Sequence, residues 1–150
     1  MTPELALELL KPIADGIPFN RVIGVTLESM TATGAEMVVS HREELTNNPL
    51  SGILHGGVIS SILDVVGGLS ALSALVFDRE LDTLDSILET FMKFGTVDLR
   101  VDYLRPGLGE RFAAFGTVMR SGRRIAVTRM EFHNQDGTLL ATGTGTYVTG

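Results

Sequence analysis

The chain has 150 residues, a formal net charge of −6, 44% hydrophobic residues and 20% charged residues. These values predict one globular domain of ordinary composition, and the acidic balance argues against nucleic acid as a partner, because phosphate binding needs a basic surface. There is no cysteine, which excludes disulfides, a thiol nucleophile and thiolate metal ligands.

The first twenty residues predict an amphipathic helix and a connector. Thr2-Pro3 is a typical helix start. An apolar stripe recurs every four residues, at Leu5, Leu9 and Ile13. Pro12 and Gly16 are expected to end or kink this helix, and residues 17–20 to form the connector. Residues 1–20 lack a basic start followed by an apolar run, so we expect no secretory signal there and a cytoplasmic protein.

Two short strands are predicted next, at residues 22–30 and 35–41, joined by a turn. Residues 41–50 are polar and rich in turn formers. We interpret them as a loop that leads the chain into its longest apolar segment.

That segment, residues 54–77, predicts a central helix. It is almost entirely apolar or small and contains no proline, and its length favours a helix over a strand. A helix that is apolar on all sides is buried. A membrane span is the alternative. However, Asp64 near the centre of a span would cost about 2.5–3.5 kcal/mol, and four glycines and four serines lower the hydrophobicity. We therefore expect no membrane partner.

The rest of the chain predicts a sheet. Residues 78–95 are ambiguous, although 86–94 suit a short amphipathic helix. Four strands follow, at 97–104, 110–120, 123–134 and 138–148, and Asp136-Gly137 is a strong hairpin turn. Small residues and Tyr147 share one face of the last strand: Ala141, Gly143, Gly145 and Tyr147. Such a face lets a buried helix approach closely. The order predicts an α+β fold with an antiparallel sheet wrapped around one long helix.

This pattern resembles the hotdog-fold acyl-CoA thioesterases, above all the phenylacetyl-CoA (PaaI-like) and 4-hydroxybenzoyl-CoA thioesterase group. The resemblance rests on three features: His55-Gly56-Gly57 at the helix start, Asp64 nine residues after His55, and the segment from Thr96-Val97-Asp98 to Tyr103-Leu104-Arg105-Pro106. The likeness runs from about residue 22 to residue 148. It implies one hotdog domain over residues 1–150 that hydrolyses an acyl- or aryl-CoA to free acid and CoA, without a further cofactor.

The resemblance also implies roles for individual residues. The amide of Gly57 would polarise the thioester carbonyl, and Asp64 would act as general base or nucleophile. Asn48 is the candidate for positioning the carbonyl or the water, and Thr96 the candidate for holding the attacking water. The family arrangement is a homodimer, and the sequence leaves a dimer of dimers open.

The residues themselves support this chemistry. A helix N-terminus offers unpaired N–H groups and a positive dipole end, and glycine leaves them accessible. Tight packing is the alternative role of Gly56-Gly57. His55 is expected mainly to fix the helix start by binding the preceding loop. Asp64 is the only acid between Glu44 and Asp78, and a purely structural carboxylate is its alternative.

Geometry then requires a second chain. Gly57 and Asp64 lie about 10 Å apart along a helix, at 1.5 Å per residue. One thioester carbon must lie within about 3 Å of both functional groups. If the helices of two protomers pack antiparallel, Gly57 of one faces Asp64 of the other, and a twofold dimer contains two such sites.

Arginines near turns are candidates for the phosphates of CoA. They are Arg105, Arg123 and Arg124, with Gly56 and Pro106 as further substrate-binding candidates. Solvated surface charge is the alternative. The histidines and acids show no metal-ligand spacing, so we predict no metal.

Two other functions remain open at this level. Hydratases and dehydratases of the same fold pair a catalytic His with an acid, which His55 and Asp64 could supply. A non-catalytic acyl-CoA-binding protein is the second alternative. The sequence does not identify the acyl group.

Overall fold

The computed structural model describes residues 1–79 and 81–149, so Glu80 and Gly150 lie outside the described residues. The elements in chain order are α1 (Pro3–Gly16), α2 (Pro18–Ile23), β1 (Thr26–Thr31), β2 (Gly34–Ser40), α3 (Gly56–Asp78), α4 (Leu84–Phe91), β3 (Gly95–Tyr103), β4 (Arg111–Ser121), β5 (Ile125–Asn134) and β6 (Leu139–Val148). A single 3-10 turn, Glu43–Leu45, precedes α3.

The six strands form one antiparallel sheet in the order β1-β2-β4-β5-β6-β3. The β4, β5 and β6 strands follow one another through hairpins. The β3 strand precedes them in the chain but lies at the edge of the sheet, next to β6. The predicted α+β architecture, an antiparallel sheet on a long central helix, is confirmed.

Small residues let α3 approach the sheet closely. The predicted face of β6 does point inward, because its alternate residues from 141 to 147 are buried. A Cβ added to Gly67 of α3 would lie 2.3 Å from the Tyr147 hydroxyl, and one added to Gly116 of β4 would lie 2.2 Å from Ser70 Oγ. Neither position has room for a side chain, so these glycines set the distance between helix and sheet.

The composition of α3 is compatible with both a buried core helix and a membrane span. It is long and apolar enough to cross a membrane, with a mean hydropathy of 1.8. In the structure 61% of that window is buried, and twelve residues of the helix are buried against the sheet and its surroundings. This packing is that of a core helix.

The N-terminal prediction is partly wrong. Residues 17–20 are not a simple connector, and the first strand does not begin at residue 22. Instead Pro18–Ile23 forms α2, with Pro18 at its first position, and Gly24 ends it at a φ of 79°. Six residues are too few to display a helical period, so the pattern did not reveal this helix. The α1 helix runs through Pro12 and ends at Gly16.

Two elements that frame the site also differ from expectation. The ambiguous segment contains α4, which begins two residues before the predicted 86–94 helix and is capped by Thr83 Oγ1, 3.3 Å from the Ser86 amide. The β3 strand is more exposed than a half-buried strand, with Val97 56% and Tyr103 53% exposed. Its edge position explains this exposure.

Candidate active site

Asp64 is held by two hydroxyl groups from the sheet. Thr96 Oγ1 on β3 donates a hydrogen bond to Asp64 Oδ1 at 3.0 Å, and the Tyr147 hydroxyl on β6 donates to the same oxygen at 3.3 Å. The Tyr147 hydroxyl also lies 3.0 Å from the main-chain oxygen of Asp64. Oδ2 accepts no hydrogen bond from the described residues, so it is the oxygen that can take a proton.

Tyr147 is almost fully buried, with 2% of its surface exposed. Burial first, and then the charge of the Asp64 carboxylate, raise the pKa of Tyr147 well above its ordinary value of about 10. The phenol therefore stays protonated and remains a donor to Asp64 throughout the neutral range.

An apolar cavity of about 180 Å³ opens beside this cluster. Asp64, Thr96 and Tyr147 provide its polar side. The remaining walls include side chains of α3, α4 and the turn after α4: Val65, Leu69, Leu72, Phe91 and Phe94. The carboxylate thus lies where an apolar ligand and water can meet.

The N-terminus of α3 is the second part of the site. The Gly57 amide donates to His55 Nδ1 at 2.9 Å, so the imidazole caps its own helix. The main chain of His55 also donates to Leu45 O at 2.8 Å, which ties the preceding loop to the helix start. The predicted role of His55 in fixing this start agrees with the geometry, although the ring contacts Gly57 rather than the loop.

Further groups surround this helix start. The Tyr103 hydroxyl, from the end of β3, donates to Gly56 O at 2.8 Å. Gly56, Tyr103, Arg105 and Pro106 line the same open pocket of about 370 Å³. Arg105 also donates to Leu139 O at 2.9 Å, so its guanidinium is anchored near the helix start.

The hydrogen bonds of Asn48 fall within its own turn rather than at these groups. It belongs to an exposed turn, where its Oδ1 accepts a hydrogen bond from the Leu50 amide at 2.8 Å. Leu50 itself is 96% exposed. The side-chain oxygen of Asn48 therefore stabilises its own turn, and among the described residues Asn48 makes no hydrogen bond to α3.

Arg123 and Arg124 occupy the turn between β4 and β5, at the other end of the molecule. Arg123 lines a cavity of about 740 Å³ together with Asp78 and Arg79 at the C-terminal end of α3. Arg105 is at the N-terminal end, and the 23 residues of α3 span about 33 Å. Within one chain the predicted phosphate-binding arginines are therefore not brought together.

Seven of the ten predicted site residues thus form two groups along α3, and Asn48, Arg123 and Arg124 belong to neither. Thr96 is brought to Asp64, and His55 accepts from the Gly57 amide, while Gly56, Arg105 and Pro106 line the pocket at the helix start. Sequence reasoning missed the hydroxyls of Tyr147 and Tyr103 as partners of these groups. The inward face predicted for β6 was the available signal for Tyr147. Over the described residues, no three His, Asp or Glu side chains are grouped as metal ligands.

Comparison with known proteins gives a family match and a full-length relative. Residues 51–141 match the family model described as thioesterase superfamily. The medium/long-chain acyl-CoA thioesterase YigI of Salmonella typhimurium is 39% identical over 151 residues, covering 100% of this chain and 97% of that protein.

Solved structures give the same result. A protein from Shewanella oneidensis related to the thioesterase superfamily superposes with a TM-score of 0.88 at 42% identity, over 100% of both chains. A thioesterase family protein from Silicibacter pomeroyi has a TM-score of 0.75 at 24% identity, covering 96% of each chain. The second comparison supports the fold alone.

Proposed function

The chain belongs to the thioesterase superfamily and is an acyl-CoA thioesterase, and we propose that it hydrolyses medium- and long-chain acyl-CoA at sites shared between two protomers. In each site, Asp64 of one protomer is the general base and Gly57 of the other binds the thioester oxygen. The observation that carries this proposal is the Asp64 carboxylate, held by Thr96 and Tyr147 beside an apolar cavity.

The shape of the monomer supports a shared site. Gly57 and Asp64 are about 10 Å apart along α3, too far for one carbonyl group to reach both. Among the described residues, nothing pairs with the outer side of β3 along its nine residues at the sheet edge, and such an edge is a template for pairing with another chain. Twofold pairing of β3 with its copy would place two α3 helices antiparallel.

The chemistry follows from these positions. Asp64 Oδ2 removes a proton from a water molecule, whose oxygen forms a bond to the thioester carbon. The negative charge on the carbonyl oxygen is stabilised by the Gly57 amide and the positive end of the α3 dipole. The C–S bond then breaks, the proton on Asp64 passes to the leaving sulfur, and the products are the free acid and CoA.

The Gly57 amide has a partner before substrate arrives. The Gly57 amide already donates a hydrogen bond to His55 Nδ1 at 2.9 Å. The thioester oxygen therefore has to share this amide with the imidazole or displace it. His55 therefore acts as an exchangeable cap in this proposal. The ring holds the helix start in the free protein and yields to the substrate.

The class of acyl chain is inferred from the cavity lining and from the relatives. The walls beside Asp64 are mainly apolar side chains, which suits a hydrocarbon chain. The similarity to the medium/long-chain enzyme YigI supports the same substrate class. The family match favours hydrolysis over hydration of an enoyl thioester or binding without turnover.

Release of free thiol from acyl-CoA tests the proposal. We expect turnover of octanoyl-, decanoyl- and dodecanoyl-CoA, with slower turnover of acetyl-CoA. A folded protein that released no thiol from any of these substrates would contradict the proposal. Hydration of crotonyl-CoA without thiol release would instead support the hydratase alternative.

A further inference from the structure

Two adjacent glycines in the middle of α3 have different surroundings. A Cβ on Gly67 would lie 2.3 Å from the Tyr147 hydroxyl and 3.0 Å from Met130 Sδ, so packing excludes a side chain there. Within the described part of the chain, a Cβ on Gly68 would meet only the Tyr147 ring, at 3.4 Å and 3.7 Å, which is ordinary van der Waals contact. Packing therefore leaves room for alanine at Gly68.

The helix itself also favours alanine at this position. Glycine in a helix interior is less favourable than alanine because it loses more conformational freedom. The φ angle of Gly68 does not lie in the left-handed region that would require glycine. Neither the packing nor the backbone explains why position 68 lacks a side chain.

The cavity supplies an explanation. Gly68 lines the apolar cavity of about 180 Å³ beside Asp64. Asp64, Gly68 and Leu72 are spaced four residues apart, so they share one face of α3 at intervals of about 6 Å. A hydrocarbon chain whose carbonyl lies at Asp64 and which enters this cavity passes over Gly68 before it reaches Leu72.

We infer that Gly68 is a specificity-determining residue, whose missing side chain keeps the cavity beside Asp64 open for a long acyl chain. This inference rests on the proposed function and assigns to one residue the preference for chain length. The acyl chain contacts the main chain of α3 at Gly68, while Leu69, Phe91 and Phe94 enclose it from the other walls. An acetyl group ends near Asp64 and does not reach Gly68.

Gly68→Ala and Gly68→Leu test the inference through the ratio of kcat/KM for dodecanoyl-CoA to kcat/KM for acetyl-CoA. One methylene in an apolar pocket changes such values by roughly 10–200-fold. We expect the ratio to fall at least roughly tenfold in Gly68→Ala and further in Gly68→Leu. The Tm of Gly68→Ala should rise by roughly 2–4 °C if only the helix propensity changes.

Ala74→Leu is the matched control. It adds bulk to a partly buried position of the same helix, but beside the separate cavity at the C-terminal end of α3. We expect its ratio to equal that of the unaltered protein. A Gly68→Ala protein that is as stable as the parent and has the parent's ratio would overturn the inference.

Binding separates this inference from the proposed function. If the parent protein releases no thiol from any acyl-CoA, the proposed hydrolysis fails. Titration calorimetry with non-hydrolysable thioethers still measures how the affinity depends on the length of the alkyl chain in the cavity. We expect Gly68→Leu to weaken binding of S-dodecyl-CoA at least roughly tenfold more than binding of S-ethyl-CoA. Equal effects on the two thioethers would overturn the role of Gly68.

Discussion

The hydroxyl of Tyr147 bridges two oxygens of Asp64, at 3.0 Å from the main-chain carbonyl and 3.3 Å from Oδ1. One phenol on the last strand thus fixes both the helix turn and the side chain that carries the carboxylate. The contact links residues 83 positions apart. The position of the proposed base therefore depends on how α3 packs against the sheet.

Tyr147→Phe tests this positioning role. The variant keeps the ring but loses the donor to Oδ1, so we expect kcat to fall roughly two- to tenfold, the equivalent of about 0.5–1.5 kcal/mol for one hydrogen bond. KM should change little, because Tyr147 does not bind CoA in this proposal. Thr144→Val is the control, since Thr144 lies exposed on the other face of β6. Equal kcat values in the two variants would argue against positioning by Tyr147.

The raised pKa of Tyr147 predicts a loss of stability at alkaline pH. The unfolded chain loses the phenol proton near pH 10, while the folded chain retains it. This stabilising contribution is therefore complete below about pH 10, and above it the free energy of unfolding falls by up to about 1.4 kcal/mol per pH unit.

Urea unfolding of the parent and of Tyr147→Phe between pH 9 and pH 11, at one protein concentration, measures this effect (these limits extend roughly one unit either side of the ordinary tyrosine pKa). The difference in stability between the two proteins should become less favourable to the parent as the pH rises. A difference that is independent of pH would contradict the raised pKa.

Asp64→Asn tests the proposed base. The change is nearly isosteric and removes the atom that accepts the proton, so we expect kcat to fall by roughly 10²–10⁴-fold. Affinity for a non-hydrolysable acyl-CoA should change little, because the Gly57 amide is untouched. Asp78→Asn is the control, with the same chemical change at the exposed C-terminal end of α3. If Asp64→Asn retained more than about a tenth of the parent's turnover, Asp64 could not be the base.

Mixing two inactive variants tests the shared site. Asp64→Asn lacks the base, and Gly57→Val disturbs the helix start, where a Cβ would already lie 3.0 Å from His55 Nδ1. A mixed dimer contains one site with an intact Gly57 and an intact Asp64. Refolding the variants together should therefore restore roughly a quarter of the parent's activity, since half of the dimers are mixed and each has one good site. Sites confined to one chain would give no recovery.

The adjacent glycines at the helix start provide a matched pair. A Cβ on Gly57 would lie 3.0 Å from His55 Nδ1, so the ring would have to shift by a few tenths of an ångström, whereas one on Gly56 would meet the Tyr103 ring at an ordinary 3.4 Å. We expect Gly57→Ala to lower kcat more than Gly56→Ala does, with similar circular dichroism for both. A larger effect of Gly56→Ala would shift the oxyanion role away from Gly57.

Local patterns were sufficient to predict much of this molecule. The apolar run around Asp64 predicted the central helix within two residues of its observed start, and Asp136-Gly137 correctly indicated the last hairpin turn. These features depend on residues close together in the chain. The α2 helix was missed because six residues carry too little periodicity.

The remaining features depend on contacts between distant segments. No local pattern places β3 beside β6 rather than beside β4, and this pairing decides that Thr96 and Tyr147 meet at Asp64. The catalytic role suggested for Asn48 stays a prediction, as does a cytoplasmic location. The turn that occupies the Asn48 side chain could not be foreseen, because its hydrogen bond depends on the conformation of the loop.

The pairing of β3 with β6 also determines when the sheet edge can form during synthesis of the chain. Ribosomes complete β3 before β6, yet β6 is the strand to which β3 is bonded in the sheet. The edge proposed to pair with a second copy therefore cannot be in place on a nascent chain until the final strand has emerged. That same strand delivers Tyr147 to Asp64. A growing chain thus acquires its proposed pairing edge and its oriented carboxylate in one late step, so neither is available to a partial product of translation.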